Sequence, residues 1–282
     1  MTDESGSDEE KLGGARLLDS GGEAEIYEWG DRRVLRLFKP EVAHAAGTVE
    51  IEAIAMRAAA DMGILVPTVH DTIIVDGRPG LVIDRVDGPN MLTAALWRPW
   101  RASNFGKRLG EMHAVLHSHA APSGLPQMHA SITYRLAGTM SEADWFHDWM
   151  RDQLSTLPNG DALLHGDLHP LNVVLGVDGA GVIDWSRATA GPAEADVART
   201  LVLFERASPF GAGRMVDRLV NLSRRAFSQR YLNAYRARRD LDMALVQRWL
   251  VVRRIELILQ FRPNNLPEVR RLIREAGGPA PG

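Results

Sequence analysis

The sequence predicts an α+β fold of two lobes: a small, β-rich lobe that holds one helix, and a larger, mainly helical lobe. Two observations predict it. Segments in which apolar and polar residues alternate, typical of strands, concentrate before residue 88. Beyond that point, apolar residues mostly recur at helical spacing. We therefore divide the chain into a tail over residues 1–14, an N-terminal lobe over 15–87 and a C-terminal lobe over 88–282.

Composition and charge exclude several classes of protein. The 282 residues are 45% apolar and 24% charged, which is typical of a globular chain with a sizeable core. The net charge is −3, and the first ten residues carry five acids and no base, which predicts a disordered tail. The sequence has no basic stripe interleaved with aromatic residues, which argues against a nucleic-acid partner. The absence of cysteine excludes disulfides and thiolate zinc sites.

The sequence also predicts where the protein is located. The amino terminus lacks the apolar stretch of a secretory signal, and no apolar run approaches the roughly 18 residues of a membrane span. We therefore expect a cytoplasmic protein with no membrane partner.

Lysine occurs only at Lys11, Lys39 and Lys107, and the other 30 of the 33 basic residues are arginines. A lysine-dependent mechanism has few residues available.

In the N-terminal lobe, four segments predict strands and one predicts a helix. The strands are residues 23–29, 32–38, 72–75 and 80–86. Gly30 and Asp31 join the first two, a turn typical of hairpins. Residues 48–62 are Ala-rich with apolar residues at helical spacing, and Gly63 ends that helix.

In the C-terminal lobe, five segments predict helices. They are residues 103–119, 142–157, 194–206, 212–235 and 240–261. Pro209 separates two of them, and Asp240 is the predicted N-cap of the last. Residues 120–132 are rich in Pro, Gly and Ser, which predicts a loop.

One segment interrupts the helical lobe and carries the chemistry. Residues 165–172 have the sequence HGDLHPLN, and two short strands follow, joined through Asp178 and Gly179. Such a hairpin returns the chain beside itself, which brings Asp184 close to Asn172 and Asp167. Carboxylate and amide oxygens that converge suit Mg²⁺, and a further carboxylate can accept a hydroxyl proton.

The spacing within this segment resembles a known family. Asn172 follows Asp167 by five residues, and Asp184 follows Asn172 by twelve. HGDLHPLN followed by IDW resembles the aminoglycoside phosphotransferase and choline kinase branch of the protein kinase-like superfamily. The resemblance implies a bilobal kinase-like fold, Asp167 as the catalytic base, and Asn172 and Asp184 as ligands of Mg²⁺. It also implies ATP or GTP as phosphoryl donor and a small-molecule hydroxyl as acceptor.

The resemblance extends into the N-terminal lobe. Gly21 and Gly22 match a glycine-containing turn over the nucleotide phosphates, although they are not a full GxGxxG. Glu52 matches the helix glutamate that pairs with the phosphate-binding basic residue, and Glu50 is the alternative. The segment from Asp84 to Val86 matches the hinge, whose backbone groups would meet the adenine edge. In the C-terminal lobe, the residue that would brace the catalytic loop is Asp196.

The strand over residues 32–38 corresponds to the third strand of the family, which commonly has lysine there, and it departs from that pattern. The departing residue is Arg36, which shares a strand face with Val34, while Lys39 has the opposite parity. The family residue two positions before the lysine faces the adenine. We therefore assign Arg36 to the α- and β-phosphates and to Glu52, with Lys39 as the alternative. Guanidinium binds phosphate through paired hydrogen bonds, so activity is compatible with the change.

Several side chains allow two interpretations. His113, His117 and His119 suggest a metal site, but packing or loop bracing is favoured. His165 is either a general base or, as the resemblance implies, a support for the loop; His169 either orients the loop or approaches the phosphates. Aromatic residues that would line a substrate cleft or fill the core are Trp97, Trp100 and Trp145. Acids that would bind a cationic acceptor or form a solvated face are Asp144, Asp148, Asp152 and Glu205.

The predicted function is a Mg²⁺-dependent phosphotransferase acting on a small molecule, with antibiotics among the acceptors that relatives modify. The alternative is a nucleotide-binding pseudokinase with a regulatory or scaffold role, which the replacement at Arg36 keeps open. A protein kinase is disfavoured because residues 185–196 are too short for an activation segment. The acceptor, the choice between ATP and GTP, and the oligomeric state stay open.

Overall fold

The computed structural model describes residues 12–42, 44–139, 144–177, 179–206 and 214–278. It has the predicted α+β, two-lobed architecture, with an antiparallel sheet and one helix followed by a mainly helical lobe. The fold class is therefore confirmed. Within the described residues, no helix combines the length and the apolar character that a membrane span requires.

The N-terminal lobe is a five-stranded antiparallel sheet in the order β1-β2-β3-β5-β4. Its elements are β1 (Leu17–Ser20), β2 (Ala24–Glu28), β3 (Arg33–Phe38), α1 (Ala45–Asp61), β4 (Val69–Val75) and β5 (Arg78–Asp84). Helix α1 packs against β4 and β5 through a buried face rich in alanine. This sheet and helix position Arg36 of β3 opposite Glu52 of α1.

The predicted hairpin joins β2 and β3, with Gly30 and Arg32 in the left-handed region at φ 68° and 53°. Strand β1 lies outside the predicted strands. Its residues alternate weakly, and all but one are exposed, so it lacks the buried face that makes a strand recognisable in a sequence.

The C-terminal lobe begins with α2 (Met91–Trp97) and continues through helices that pack pairwise. The others are α3 (Ala102–Leu116), α4 (Met128–Ala137), α5 (Asp144–Ser155), α6 (Ala193–Arg206), α7 (Arg214–Arg236), α8 (Met243–Phe261) and α9 (Leu266–Glu275). Helix α3 lies along α7, and α6 lies along α8. Short 3-10 helices cover Pro99–Arg101 and Pro170–Asn172.

Small antiparallel strand pairs hold the central segment of this lobe. Strand β6 (Ala162–Leu164) pairs with β9 (Thr189–Gly191), and β7 (Val173–Gly176) pairs with β8 (Gly179–Val182). The HGDLHPLN sequence thus lies between β6 and β7, and Asp184 lies two residues after the end of β8. The core is continuous across the lobes, because one buried cluster joins α1, the inner face of the sheet and most C-terminal helices.

The structure corrects three predictions. Part of the predicted loop over residues 120–132 is helical, because α4 begins at Met128 and buries Met128, Ile132 and Leu136 at helical spacing. The N-cap of α8 is Asp242, not Asp240, and its carboxylate accepts two amide hydrogen bonds of the first turn. Helices α2 and α9 were not predicted.

Some predictions lie outside the described residues. They are most of the tail over residues 1–14, Asp178 of the predicted turn, Pro209, and the first residues of the helices over 142–157 and 212–235.

Candidate active site

The loop over residues 165–172 is fixed by one buried carboxylate. Asp196 of α6 accepts the amide of His165 at 2.7 Å and the amide of Gly166 at 3.0 Å. Gly166 has a φ of 78°, and a β-carbon there would lie 2.2 Å from the carbonyl oxygen of Arg187. Only glycine fits this close approach, which explains the second residue of the HGDLHPLN sequence.

His165 supports this loop from inside. Its side chain is fully buried, and its Nε2 lies 3.1 Å from the carbonyl oxygen of Ile183. Its Nδ1 accepts the amide of Asp167 at 3.2 Å, so Nε2 is the nitrogen that carries the proton. Burial lowers the pKa of His165 and keeps the ring neutral. Both ring nitrogens are engaged with backbone, which is the arrangement of a supporting residue.

The carboxylate of Asp167 meets the side chains of Arg199 and His169. Arg199 donates from Nη2 to Oδ1 at 3.0 Å, and Nε2 of His169 lies 3.5 Å from Oδ2. Burial raises the pKa of Asp167, but the hydrogen bond with His169 and the charge of Arg199 outweigh it and hold the pKa below its usual range. Asp167 is therefore a carboxylate at neutral pH.

Asn172 and Asp184 lie next to this carboxylate. Asn172 donates from Nδ2 to the carbonyl of Asp167 at 3.0 Å, which leaves its Oδ1 available as a ligand. Its own carbonyl accepts the amide of Ile183 at 3.0 Å, and this contact brings Asp184 alongside. Asp184 is 40% exposed and has a φ of 63°, a conformation uncommon outside glycine. An amide oxygen and a partly exposed carboxylate are hard oxygen donors that fit Mg²⁺.

Arg36 connects the two lobes at this point. Its guanidinium forms a salt bridge with Glu52 of α1, and its Nη2 donates to Oδ1 of Asp184 at 3.1 Å. Burial raises the pKa of Glu52 to about 7, with Arg36 opposing the shift and Asp184 adding to it. Burial also disfavours the charge of Arg36, but Glu52 and Asp184 outweigh it and raise the pKa of the guanidinium.

Lys39 and Glu50, the alternatives to Arg36 and Glu52, lie elsewhere. Lys39 follows the end of β3, and its charge acts on Glu25, which belongs to β2. Glu50 is exposed on the outer face of α1, whereas Glu52 is 1% exposed. Of the candidate basic and acidic residues, Arg36 and Glu52 are therefore the pair that the fold brings together.

The residues predicted to meet the nucleotide lie in a turn of the N-terminal lobe and around the end of β5. Gly21 and Gly22 lie in the turn between β1 and β2, where the amide of Gly21 bonds to the carbonyl of Ala24 at 2.9 Å. The amide of Asp84 is already bonded to Thr68, so a base edge would meet its carbonyl. Val86 has no backbone–backbone hydrogen bond to a described residue, which leaves its amide and carbonyl free.

Two histidines at the C-terminal end of α3 help to hold the loop over residues 165–172, because they contact Asp196. His113 and His117 lie with Nε2 at 3.1 and 3.3 Å from Oδ2 of Asp196, and their Nδ1 atoms meet the hydroxyls of Tyr231 and Tyr235 at 2.7 and 2.8 Å. Burial and His113 lower the pKa of His117 to about 3. The three groups are close enough to hold an ion, but each ring nitrogen already has a partner. His119 lies beyond the end of α3, is exposed, and bonds back to the carbonyl of Val115.

Of the other candidates, Trp145 is partly buried and packs against the core, whereas the two remaining tryptophans and the acids lie on the surface. Trp97 and Trp100 are 69% and 74% exposed, so neither is a core residue. Asp148 pairs with Arg151 and Glu205 with Arg254 on exposed faces. The acids proposed for a cationic acceptor thus do not converge with Asp167.

Sequence reasoning missed Arg199. It is 1% exposed and contacts the carboxylate of Asp167. Arg199 and Thr200 follow Asp196 by three and four residues on one face of α6, and Thr200 donates to the carbonyl of Leu168 at 2.9 Å. Polar residues repeating at helical spacing on an otherwise apolar face were the available signal.

The small sheet with one helix, the helical lobe and the loop-and-hairpin arrangement between them define the protein kinase-like class. The model of the phosphotransferase enzyme family, APH, matches residues 14–244. The chain therefore belongs to that family, and it is a phosphotransferase. Among curated proteins, none matches the sequence.

Solved structures share the fold at low identity. Amicoumacin kinase hAmiN, in complex with AMP-PNP, Ca²⁺ and Ami, has a TM-score of 0.65 at 15% identity, covering 95% of this chain and 89% of that chain. Aminoglycoside-3'-phosphotransferase of type VIII has a TM-score of 0.60 at 19% identity, covering 86% and 91%. A putative fructosamine-3-kinase from Haemophilus somnus 129PT has a TM-score of 0.59 at 16% identity, covering 92% and 90%.

Proposed function

We propose that this protein transfers the γ-phosphoryl group of ATP or GTP to a hydroxyl group of a small molecule. The observation that carries the proposal is the convergence of Asp167, Asn172 and Asp184, with Arg36 reaching the same point from the other lobe. Membership of a phosphotransferase family supports it. The complexes of similar folds with AMP-PNP, ADP and GDP support a nucleotide as donor.

In the proposed reaction, the acceptor oxygen forms a bond to the γ-phosphorus while the bond from that phosphorus to the β–γ bridging oxygen breaks. The products are the phosphorylated acceptor and a nucleoside diphosphate. Asp167 orients the hydroxyl and takes its proton on the carboxylate. The lowered pKa of Asp167 makes it a weak base, which suits a loose transition state in which the proton leaves late.

Binding and charge compensation are assigned to the remaining residues. Arg36, held by Glu52, would bind the α- and β-phosphates, with the turn at Gly21 and Gly22 above them. Asn172 and Asp184 would hold Mg²⁺, which when bound neutralises negative charge on the phosphate oxygens. The backbone of Asp84 and Val86 would meet the base.

The test is replacement of the base. We expect Asp167→Asn to lower the kcat for phosphoryl transfer by a factor of about 10² to 10⁴, because it removes the proton acceptor. The measurement is nucleoside diphosphate release and the mass gain of one phosphoryl group over a panel of hydroxylated acceptors, antibiotics included. Asp148→Asn is the matched control, since Asp148 is an exposed carboxylate of the same lobe.

The outcome also separates the enzyme from a pseudokinase. Unchanged transfer by Asp167→Asn would contradict the assigned base. Thermal stabilisation of the unsubstituted protein by Mg·ATP, without transfer to any acceptor, would favour a nucleotide-binding regulatory role. The same thermal shift in Asp167→Asn verifies that the variant is folded and binds nucleotide.

A further inference from the structure

Four arginines gather around one buried carboxylate next to the catalytic loop. Glu256 of α8 is 3% exposed and lies 2.9 Å from Arg135 and 2.7 Å from Arg253. Nη1 of Arg187 lies 3.9 Å from its Oε1, and Nη1 of Arg199 lies 3.9 Å from its Oε2. The residues come from four separated parts of the chain, so the cluster is a product of the tertiary fold.

The charges of this arginine cluster (Arg135, Arg187, Arg199 and Arg253) are not balanced. Among the described residues, its salt-bridge partners are Glu256 and Asp167, two carboxylates for four guanidiniums. Arg199 donates from Nη2 to Asp167 and to Gln260, but its buried Nε and Nη1 have no hydrogen-bond partner. Buried positive charge without a counter-ion is costly, so the cluster favours an additional anion.

The cluster opens toward solvent on the side of the catalytic loop. Arg199 and Arg253 have side chains that are 1% exposed, whereas those of Arg187 and Arg135 are 17% and 25% exposed. The backbone of Arg187 is in close contact with Gly166, the residue before Asp167. An anion that reached the accessible guanidiniums would therefore lie beside the proposed base.

We propose that the acceptor carries an anionic group, a carboxylate or a phosphate, which Arg187 and Arg135 bind while its hydroxyl lies at Asp167. The inference rests on the proposed function and names the substrate class. Guanidinium matches both anions through paired, charge-assisted hydrogen bonds. A polycationic acceptor would meet like charges here, and the acidic side chains of α5 lie on an exposed face instead.

The experiment compares acceptors that differ by one anionic group. The pairs are glycerol against glycerate and glycerol 3-phosphate, and glucose against glucuronate, with kanamycin as the cationic comparator. With Mg·ATP, we expect kcat/KM to be higher for the anionic members by about tenfold or more, the effect of one charge-assisted hydrogen bond. Arg187→Gln should raise the KM for the anionic members by a similar factor and so narrow the kcat/KM ratio between the anionic and the neutral member of each pair.

Arg254→Gln is the matched control, because Arg254 neighbours Arg253 on α8 but pairs with Glu205 on the surface. We expect it to keep the preference for anions. A preference for neutral or cationic acceptors, or equal behaviour of Arg187→Gln and Arg254→Gln, would overturn the inference and leave the phosphotransferase assignment intact.

A second readout separates the two proposals. Thermal shift of the Mg·ATP-loaded protein with glycerate or glucuronate measures binding without transfer. Stabilisation that Arg187→Gln abolishes, in the absence of any transfer, would support the anion site and contradict the phosphotransferase function. Neither transfer nor anion-dependent stabilisation would overturn both.

Discussion

At the scale of single residues, Arg36 is the most informative position. It belongs to β3, yet its guanidinium contacts Glu52 of α1 and Asp184 beyond β8. A guanidinium has five N–H donors in a planar arrangement, so it can hold both carboxylates and still donate to a phosphate. An ammonium group in its place would have three donors and a shorter reach.

We predict that Arg36→Ala raises the KM for ATP by about tenfold or more, since it removes a charge-assisted contact with the phosphates. Lys39→Ala is the comparison and should change this KM by less than about twofold, as expected for a surface charge. Steady-state kinetics with a fixed acceptor measures both values. The reverse ranking would assign the phosphates to Lys39.

The sequence was sufficient to bring Asp167, Asn172 and Asp184 together as candidates, because a loop and the hairpin after it set their distances locally. Glu52 and Arg36 followed from strand parity and family resemblance. Arg199 and Glu256 could not be placed next to Asp167, since they lie 32 and 89 residues further along the chain. Only the packing of α6 against α8 brings these residues to the loop.

At the scale of secondary-structure elements, α3 and α7 act on the catalytic loop through Asp196. The two histidines of α3 donate to that carboxylate, and the two tyrosines of α7 hydrogen-bond the opposite ring nitrogens. The carboxylate only accepts, so Nε2 of each histidine carries the proton, and each tyrosine hydroxyl donates to the Nδ1 that has none. The network is buried, so every missing partner leaves a polar group unsatisfied.

We predict that Tyr231→Phe and Tyr235→Phe each lower the free energy of unfolding by about 1–3 kcal/mol, the cost of an unpaired buried histidine nitrogen. Tyr134→Phe is the matched control, because Tyr134 is 62% exposed, and its effect should stay within about 0.5 kcal/mol. Urea denaturation measures all three. Equal effects at the three positions would show that the hydroxyls contribute nothing specific.

Most helices of the C-terminal lobe were predicted, because each has a long buried stripe. Helices α2, α4 and α9 were the exceptions, and α2 has seven residues, of which Met91 and Ala94 are buried. The first turn of α4 directly follows a segment rich in Pro and Gly, whose composition masks the helical spacing of Met128 and Ile132. Helix α9 has ten residues, three of them buried, and the preceding Pro263 and Asn264 suggest a continuing turn.

At the scale of the whole molecule, the lobes meet at a tight hinge after β5. Gly88 has a φ of 147°, and a β-carbon on it would lie 2.3 Å from the carbonyl oxygen of Leu175 in β7. The hinge is thus packed directly on the hairpin that leads to Asp184. The position of the N-terminal lobe and the position of the β7–β8 hairpin depend on the same contact.

We predict that Gly88→Ala destabilises the protein by about 2 kcal/mol or more, because backbone strain adds to the clash. It should also raise the KM for ATP by separating the hinge from the hairpin. Gly47→Ala is the control: Gly47 lies in α1 with open space around its β-position, so the change should stabilise by about 0.5–1 kcal/mol. Thermal unfolding with and without Mg·ATP distinguishes these outcomes.

The replacement of lysine by Arg36 has a consequence for chemical labelling. Nucleotide analogues that bear an acyl phosphate or another amine-reactive group transfer it to an ammonium that can lose its proton. A guanidinium remains protonated at ordinary pH and is a poor nucleophile. If Arg36 binds the phosphates as proposed, such reagents meet a guanidinium at the position where relatives commonly have lysine, and lysine is confined to three positions in the chain. This protein would pass unlabelled through an affinity survey that captures other members of its superfamily.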